Sequence, residues 1–96
     1  MSAIMEHLSI KEIHDRLEEL DGWDLIGHEI TKEFDFKDFR EAMEFVHHVG
    51  EEAEKEHHHP DIFIRYKKVT LTLTTHDANG LTYKDFKLAK IIEQLV

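Results

Sequence analysis

Apolar positions along this chain recur with two periods, helical and alternating, and each stretch predicts an element. Ile10, Ile13, Leu17 and Leu20 repeat at helical spacing. They follow a capping box, Ser9-Ile10-Lys11-Glu12, with Leu8 and Ile13 placed as its hydrophobic staple. The pattern predicts a helix over about residues 10–20, ended by Asp21-Gly22. From Trp23 the period shortens to two. Trp23, Leu25 and Gly27 alternate with Asp24, Ile26 and His28, and Ile30, Phe34 and Phe36 alternate with Thr31, Glu33 and Asp35. Two strands with a turn near Gly27-His28-Glu29 follow. Lys32 interrupts the apolar face, where its aliphatic stem can snorkel.

Helical spacing returns from about Lys37 to His58. Phe39, Ala42, Met43, Val46, Gly50 and Ala53 form the main stripe, and Phe45 and Val49 a second, narrower strip beside it. A glycine inside a helix costs about 1 kcal/mol against alanine, so Gly50 points to close approach of another backbone. With the off-stripe Phe45 and Val49, it predicts that this helix packs against a copy of itself, as homodimer or homotetramer. His47 and His48 read as surface residues.

Beyond Pro60, Ile62, Ile64 and Tyr66 alternate, and so do Val69, Leu71 and Leu73 with the parity shifted. A tight hairpin at Lys67-Lys68 and a bulge both account for the shift. Thr70, Thr72, Thr74 and His76 take the opposite face, which sets His76 at a strand end beside the turn Asp77-Ala78-Asn79-Gly80. Thr82-Tyr83-Lys84-Asp85 is a second capping box in form, stapled by Leu81 and Phe86. Leu88, Ile91, Ile92 and Leu95 make the final helix's buried face. The order is α-β-β-α-β-β-α, an α+β layer in which two hairpins build an antiparallel sheet, within a single domain over residues 1–96.

Composition narrows the function classes. With 41% hydrophobic and 34% charged residues the chain reads as soluble and globular. It has no apolar run long enough to span a bilayer and no signal-peptide pattern at its start. Without cysteine it has neither disulfides nor thiol chemistry, and a cytoplasmic site fits. A net charge of -9 argues against direct nucleic-acid binding, which needs a basic face.

The candidate chemistry lies in Glu54-Lys55-Glu56-His57-His58-His59-Pro60-Asp61, with His76 further on. Pro60 pushes His59 off any preceding helix. Glu54 and His58, four apart, share a helical face. The carboxylate and the helix's negative end together predict His58 as a proton donor near neutral pH, with His59 in a different environment. Two adjacent imidazoles in unlike surroundings make a plausible acid/base pair. By itself the run reads more simply as a solvated helix end or an adventitious metal trap. Adjacent histidines rarely ligate one ion well, and the cysteines usual in structural zinc sites are absent, so no metal is expected.

Taken together, Glu54, His58-His59-Pro60, Tyr66, His76 and Asp85 resemble the signature of the pterin-4a-carbinolamine dehydratases, a family also named as a dimerisation cofactor of a homeodomain transcription factor. Gly22-Trp23, the run Phe34 to Phe39, Thr74-Thr75-His76 and Gly80-Leu81-Thr82 match in order and spacing, from about Leu20 to the C-terminus. The resemblance implies a four-stranded antiparallel sheet with three helices on one face, and dehydration of a 4a-hydroxytetrahydropterin in tetrahydropterin recycling. It makes His58, His59 and His76 the catalytic trio, with Glu54 and Asp85 in support and pterin contacts from Trp23, Pro60 and Asp61. It implies no cofactor beyond the pterin substrate, and dimers or tetramers. Within the trio, the helix-end argument points to His58 or His76 as the acid and His59 as the pterin contact or base. A helix cap accounts for Asp85 equally well, a core position for Trp23, and a structural role for Pro60. Ile62 and Ala78 depart from the aromatic and cysteine that many or some members carry there. The rival class is a protein-binding or coactivator module without turnover.

Overall fold

The computed structural model describes residues 6–96. Its elements are α1 (Ile10–Leu17), β1 (Asp24–Ile26), β2 (Glu29–Asp35), α2 (Phe39–Glu56), β3 (Asp61–Arg65), β4 (Lys68–Leu73) and α3 (Tyr83–Glu93). Element order and type are those the periodicities predict. The strands pair antiparallel in the order β1-β2-β4-β3, and the three helices cover one face.

Strand register explains which side chains meet the helices. Ile30 faces Leu73, Phe34 faces Val69, and Ile62 faces Leu71. Side chains alternate along a strand, so these positions share the covered face, while Thr31, Thr70 and Thr72 share the open one. Lys32 lies on the covered face with its ammonium 2.5 Å from Glu93 Oε1 and 2.7 Å from the Asp21 carbonyl oxygen. The stem reaches the sheet margin, as snorkelling requires.

Both capping boxes form. Ser9 closes the first turn of α1 with Glu12, and Thr82 closes that of α3 with Asp85. The α1 helix stops at Leu17 rather than near residue 20, and turns carry the chain to Gly22 at a φ of +81°. The first hairpin turns at Gly27-His28, between Ile26 and its partner Glu29. The second turns at Tyr66-Lys67, between the paired Arg65 and Lys68. The parity shift is therefore a hairpin, one residue earlier than Lys67-Lys68, and Tyr66 takes the positive-φ position at +52°.

On α2 the two apolar strips exchange roles. Ala42, Phe45, Val49 and Ala53 are buried, with Phe45 4% exposed and Val49 fully covered. Phe39 and Met43, assigned to the main stripe, are 50% and 43% exposed. All eight apolar positions fall within one broad arc of the helix, and the sheet and α3 cover only the side centred on Val49. Phe45 and Val49 are thus core residues of this chain and supply no surface for a copy. Nothing lies within 4 Å of a Cβ built on Gly50, so no backbone of the described residues makes the close approach expected there.

Candidate functional site

The site is made where the end of α2, the end of β4 and the start of α3 converge. At the end of α2, His57 adopts the left-handed conformation at φ +52° and ψ +38°. The His58 N–H donates to the Ala53 carbonyl at 3.2 Å and the His57 N–H to that of Glu54 at 3.3 Å. This is a Schellman-type end in which histidine occupies the position that usually carries glycine. It reverses the chain one residue before His58, and the helical i,i+4 relation is lost there.

That reversal corrects the expected partnership. Glu54 does not pair with His58. Its carboxylate accepts from His59 Nε2 instead, as the chain folds back over the last helical turn toward Pro60. The His59 contact holds the Glu54 carboxyl below its ordinary value of 4.5, first through the hydrogen bond and then through charge. His58 swings onto the start of α3, where its Nε2 lies 2.5 Å from Asp85 Oδ1. A carboxylate can only accept here, so His58 donates through Nε2, and Nδ1 is not the nitrogen that Asp85 engages.

Asp85 is fully buried and is more than a helix cap. Oδ2 accepts the Thr82 N–H at 2.9 Å and the Thr75 hydroxyl at 2.7 Å, while Oδ1 takes His58. Thr82 Oγ1 lies 2.8 Å from Thr75 Oγ1 and accepts the Lys84 N–H at 3.3 Å. With the Thr75 proton directed at Asp85, the Thr82 hydroxyl donates to Thr75. The chain of bonds fixes all three elements around one buried carboxylate, and among the described residues no buried side-chain polar atom lacks a partner.

His76 enters from the third side. It begins a short 3₁₀ turn, His76–Ala78, rather than ending β4, which stops at Leu73. The Thr75 N–H donates to the Gly80 carbonyl at 3.0 Å, so the loop closes on itself and presents His76 at the surface. Histidines 57, 58, 59 and 76 then border one cavity of about 250 Å³, with Thr74, Thr75, Asp77 and Lys84 completing its wall.

The expected trio and its two carboxylates are therefore brought together. The three expected pterin contacts are not. Trp23 is buried, with its indole N–H on Glu93 Oε1 at 2.7 Å and its ring edge-on to Phe34. Pro60 leads into β3, and Asp61 opens that strand opposite Thr72, exposed. None of the three lines the histidine cavity. His57, Asp77 and Lys84 line it without having been singled out. The one advance signal was their adjacency to motif residues, since neither a left-handed cap nor a cross-element wall is written in local spacing. Among the described residues no three histidine or carboxylate side chains converge as a metal cage. His58 and His59 each turn a ring nitrogen to a different carboxylate.

The whole described chain has close relatives. Residues 6–95 match the family model described as pterin 4 alpha carbinolamine dehydratase. A Cyanothece protein provisionally named as such a dehydratase is 53% identical over 88 residues, covering 92% of this chain and 91% of its own length. A provisionally named dehydratase from Sulfurisphaera tokodaii is 47% identical over 92 residues, covering 96% and 99%. A crystal structure from Brucella melitensis, described as a transcriptional coactivator/pterin dehydratase, superposes with a TM-score of 0.91 at 38% identity, covering 94% of this chain and 98% of that one. A pterin dehydratase-like protein identified as a RuBisCO assembly factor in the alpha-carboxysome shares the fold, with a TM-score of 0.63 at 22% identity over 76% of this chain and 84% of its own.

Proposed function

Because the chain belongs to the pterin 4 alpha carbinolamine dehydratase family, we propose that it dehydrates a 4a-hydroxytetrahydropterin to the quinonoid dihydropterin, by histidine acid/base catalysis, in tetrahydropterin recycling in the cytoplasm. The C4a–O bond breaks as the hydroxyl accepts a proton and leaves as water. The N5 proton is removed, and its electron pair becomes the C4a=N5 double bond. Proton delivery and proton removal are all the reaction asks of the protein. Each well-placed acid or base contributes about 10²- to 10⁴-fold.

The observation that carries this reading is the pairing of two adjacent histidines with two different carboxylates beside a third histidine. His58, oriented by buried Asp85, and His76, on its closed loop, are the two proton carriers. His59, held by exposed Glu54, contacts the pterin or acts as the second base. Trp23, Pro60 and Asp61 support the fold around the site in this reading. Lys84 adds a cation at the rim, which suits an electron-rich heterocycle with polar edges.

The test is stopped-flow breakdown of a 4a-hydroxytetrahydropterin, corrected for the spontaneous reaction. His58→Ala and His76→Ala should each slow it about a hundredfold with an unchanged circular dichroism spectrum. Wild-type rates from both variants would sink the assignment. Absence of turnover in the wild-type protein would favour the binding-module reading, the role that the coactivator half of the Brucella description names for that protein.

A further inference from the structure

The histidine cavity does not end at His76. On its other side a second, larger cavity of about 580 Å³ opens, and Thr74 and His76 border both. Its walls come from the β1–β2 turn, through Ile26, His28 and Glu29, and from the loop after β4, through Asn79 and the Gly80 backbone. The two walls are tied together, since Thr74 Oγ1 donates to the His28 carbonyl at 2.7 Å. Asn79 sits at φ +53°, with its N–H on the His76 carbonyl at 3.1 Å, so the same turn that presents His76 also sets Asn79.

Size and chemistry divide the labour between the cavities. The first, at 250 Å³, suits a bicyclic ring and little more, and it is bordered by both carboxylate-paired histidines, His58 and His59, as well as by His76. The second has hydrogen-bonding groups of both kinds. An amide from Asn79, a hydroxyl from Thr74 and an imidazole from His28 stand with the half-buried Glu29 carboxylate. Among the described residues no cation pairs with Glu29, and none lines this cavity apart from the histidines.

We propose, resting on the dehydratase reading, that the ring's carbon substituent crosses His76 into this second cavity, where Glu29 and Asn79 determine which substituents are accepted. Asn79 and Thr74 bond an uncharged, hydroxylated chain. Glu29 accepts a hydroxyl proton from it and repels a carboxylated one. Specificity thus arises from the start of β2, through Glu29, and from the loop after β4, through Asn79, neither side chain being one of the proposed proton carriers.

The experiment compares kcat/KM for three 4a-hydroxytetrahydropterins that differ only at C6, bearing a methyl group, a short diol chain or an aryl-glutamate chain. The wild-type protein should prefer the diol to the methyl compound by roughly tenfold, the equivalent of one good hydrogen bond, and reject the carboxylated one. Asn79→Gly keeps the left-handed backbone and should erase the diol's advantage. Glu29→Gln should raise the carboxylated substrate several-fold relative to methyl, with the methyl rate unchanged in both variants. Equal changes on all three substrates would overturn the proposal. So would a wild-type preference for the carboxylated chain that Lys84→Met abolishes, because the substituent would then leave by the opposite rim. Failure of the dehydratase reading looks different: even the methyl compound would not be turned over.

Discussion

Replacing Asp85 tests whether the buried carboxylate is only a helix cap. As a cap alone, Asp85→Ala would cost about 1 kcal/mol. In the structure the carboxylate also takes the Thr75 hydroxyl at 2.7 Å and His58 at 2.5 Å. A buried hydroxyl left without an acceptor costs roughly 1–3 kcal/mol, and a charge-assisted bond is worth roughly 1.5–3 kcal/mol. These overlap, because Thr75 can turn to Thr82, 2.8 Å away, and the His58 side chain retains 11% exposure to water. About 3 kcal/mol is the resulting expectation, at the lower end for breaking a buried pair. Urea unfolding should show it as a fall in midpoint at constant slope. Asp85→Asn separates chemistry from stability. Its amide oxygen can still accept the Thr82 N–H, while its NH₂ cannot accept from His58. The Asn variant should lose far less stability than Ala yet dehydrate at least tenfold more slowly. A loss of 1 kcal/mol or less in Asp85→Ala, with an Asn variant at wild-type rate, would refute the network and restore the simple cap.

Glu54→Gln should act through His59, leaving the His58–Asp85 contact intact. Because the folded Glu54 carboxyl lies below 4.5, its contribution to stability is complete above that pH and is lost as pH falls through the folded value. Urea midpoints of wild type and variant should therefore converge in acid, and a gap that widens on acidification would contradict the pairing. Tyr66→Gly should raise stability by about 1 kcal/mol, since an exposed aromatic residue holds a left-handed turn position there; a thermal melt decides it. Exhaustive dialysis against chelator should leave dehydration unchanged, and activity restored by one equivalent of a divalent ion would overturn the acid/base account. Sedimentation equilibrium should show an oligomer that Phe39→Glu and Met43→Glu dissociate, and an 11.4 kDa monomer alone at micromolar concentration would remove that idea.

Element order was legible because it depends on local periods. Val69, Leu71 and Leu73 alternate in the sequence and are all fully buried on one face. The burial of α2 was not legible in the same way. Phe39 and Phe45 are equally apolar, and only the position of the sheet decides that Phe45 packs against Phe34 and Phe36, 4.9 and 4.8 Å between ring centroids, while Phe39 stays half exposed. The site behaved likewise. Motif position gathered histidines and carboxylates that the fold brings together, and helical spacing then matched Glu54 to His58 where the structure pairs it with His59. A left-handed residue at His57 carries no composition signal, since glycine or asparagine is what the position ordinarily shows.

The exchange of partners has a mechanistic consequence that spacing alone would have hidden. Had Glu54 held His58, both groups would lie on the exposed end of one helix, where fraying and salt weaken their contact. With Asp85 as partner, the orienting carboxylate is excluded from water and sits in the first turn of α3, where the helix dipole favours its negative charge. The same carboxylate closes the capping box that starts α3 and binds the strand-end hydroxyl of Thr75. Orientation of His58 is thereby linked to the docking of α3 against β4, so partial opening at that junction would release the imidazole before the chain unfolds. His59 has no such link, because Glu54 is exposed and lies on the same helix end. Of the two adjacent histidines, His58 therefore has the more rigid geometry, which suits the proton-carrying role proposed for it, and His59 the freedom that the proposed contact with a ring would use.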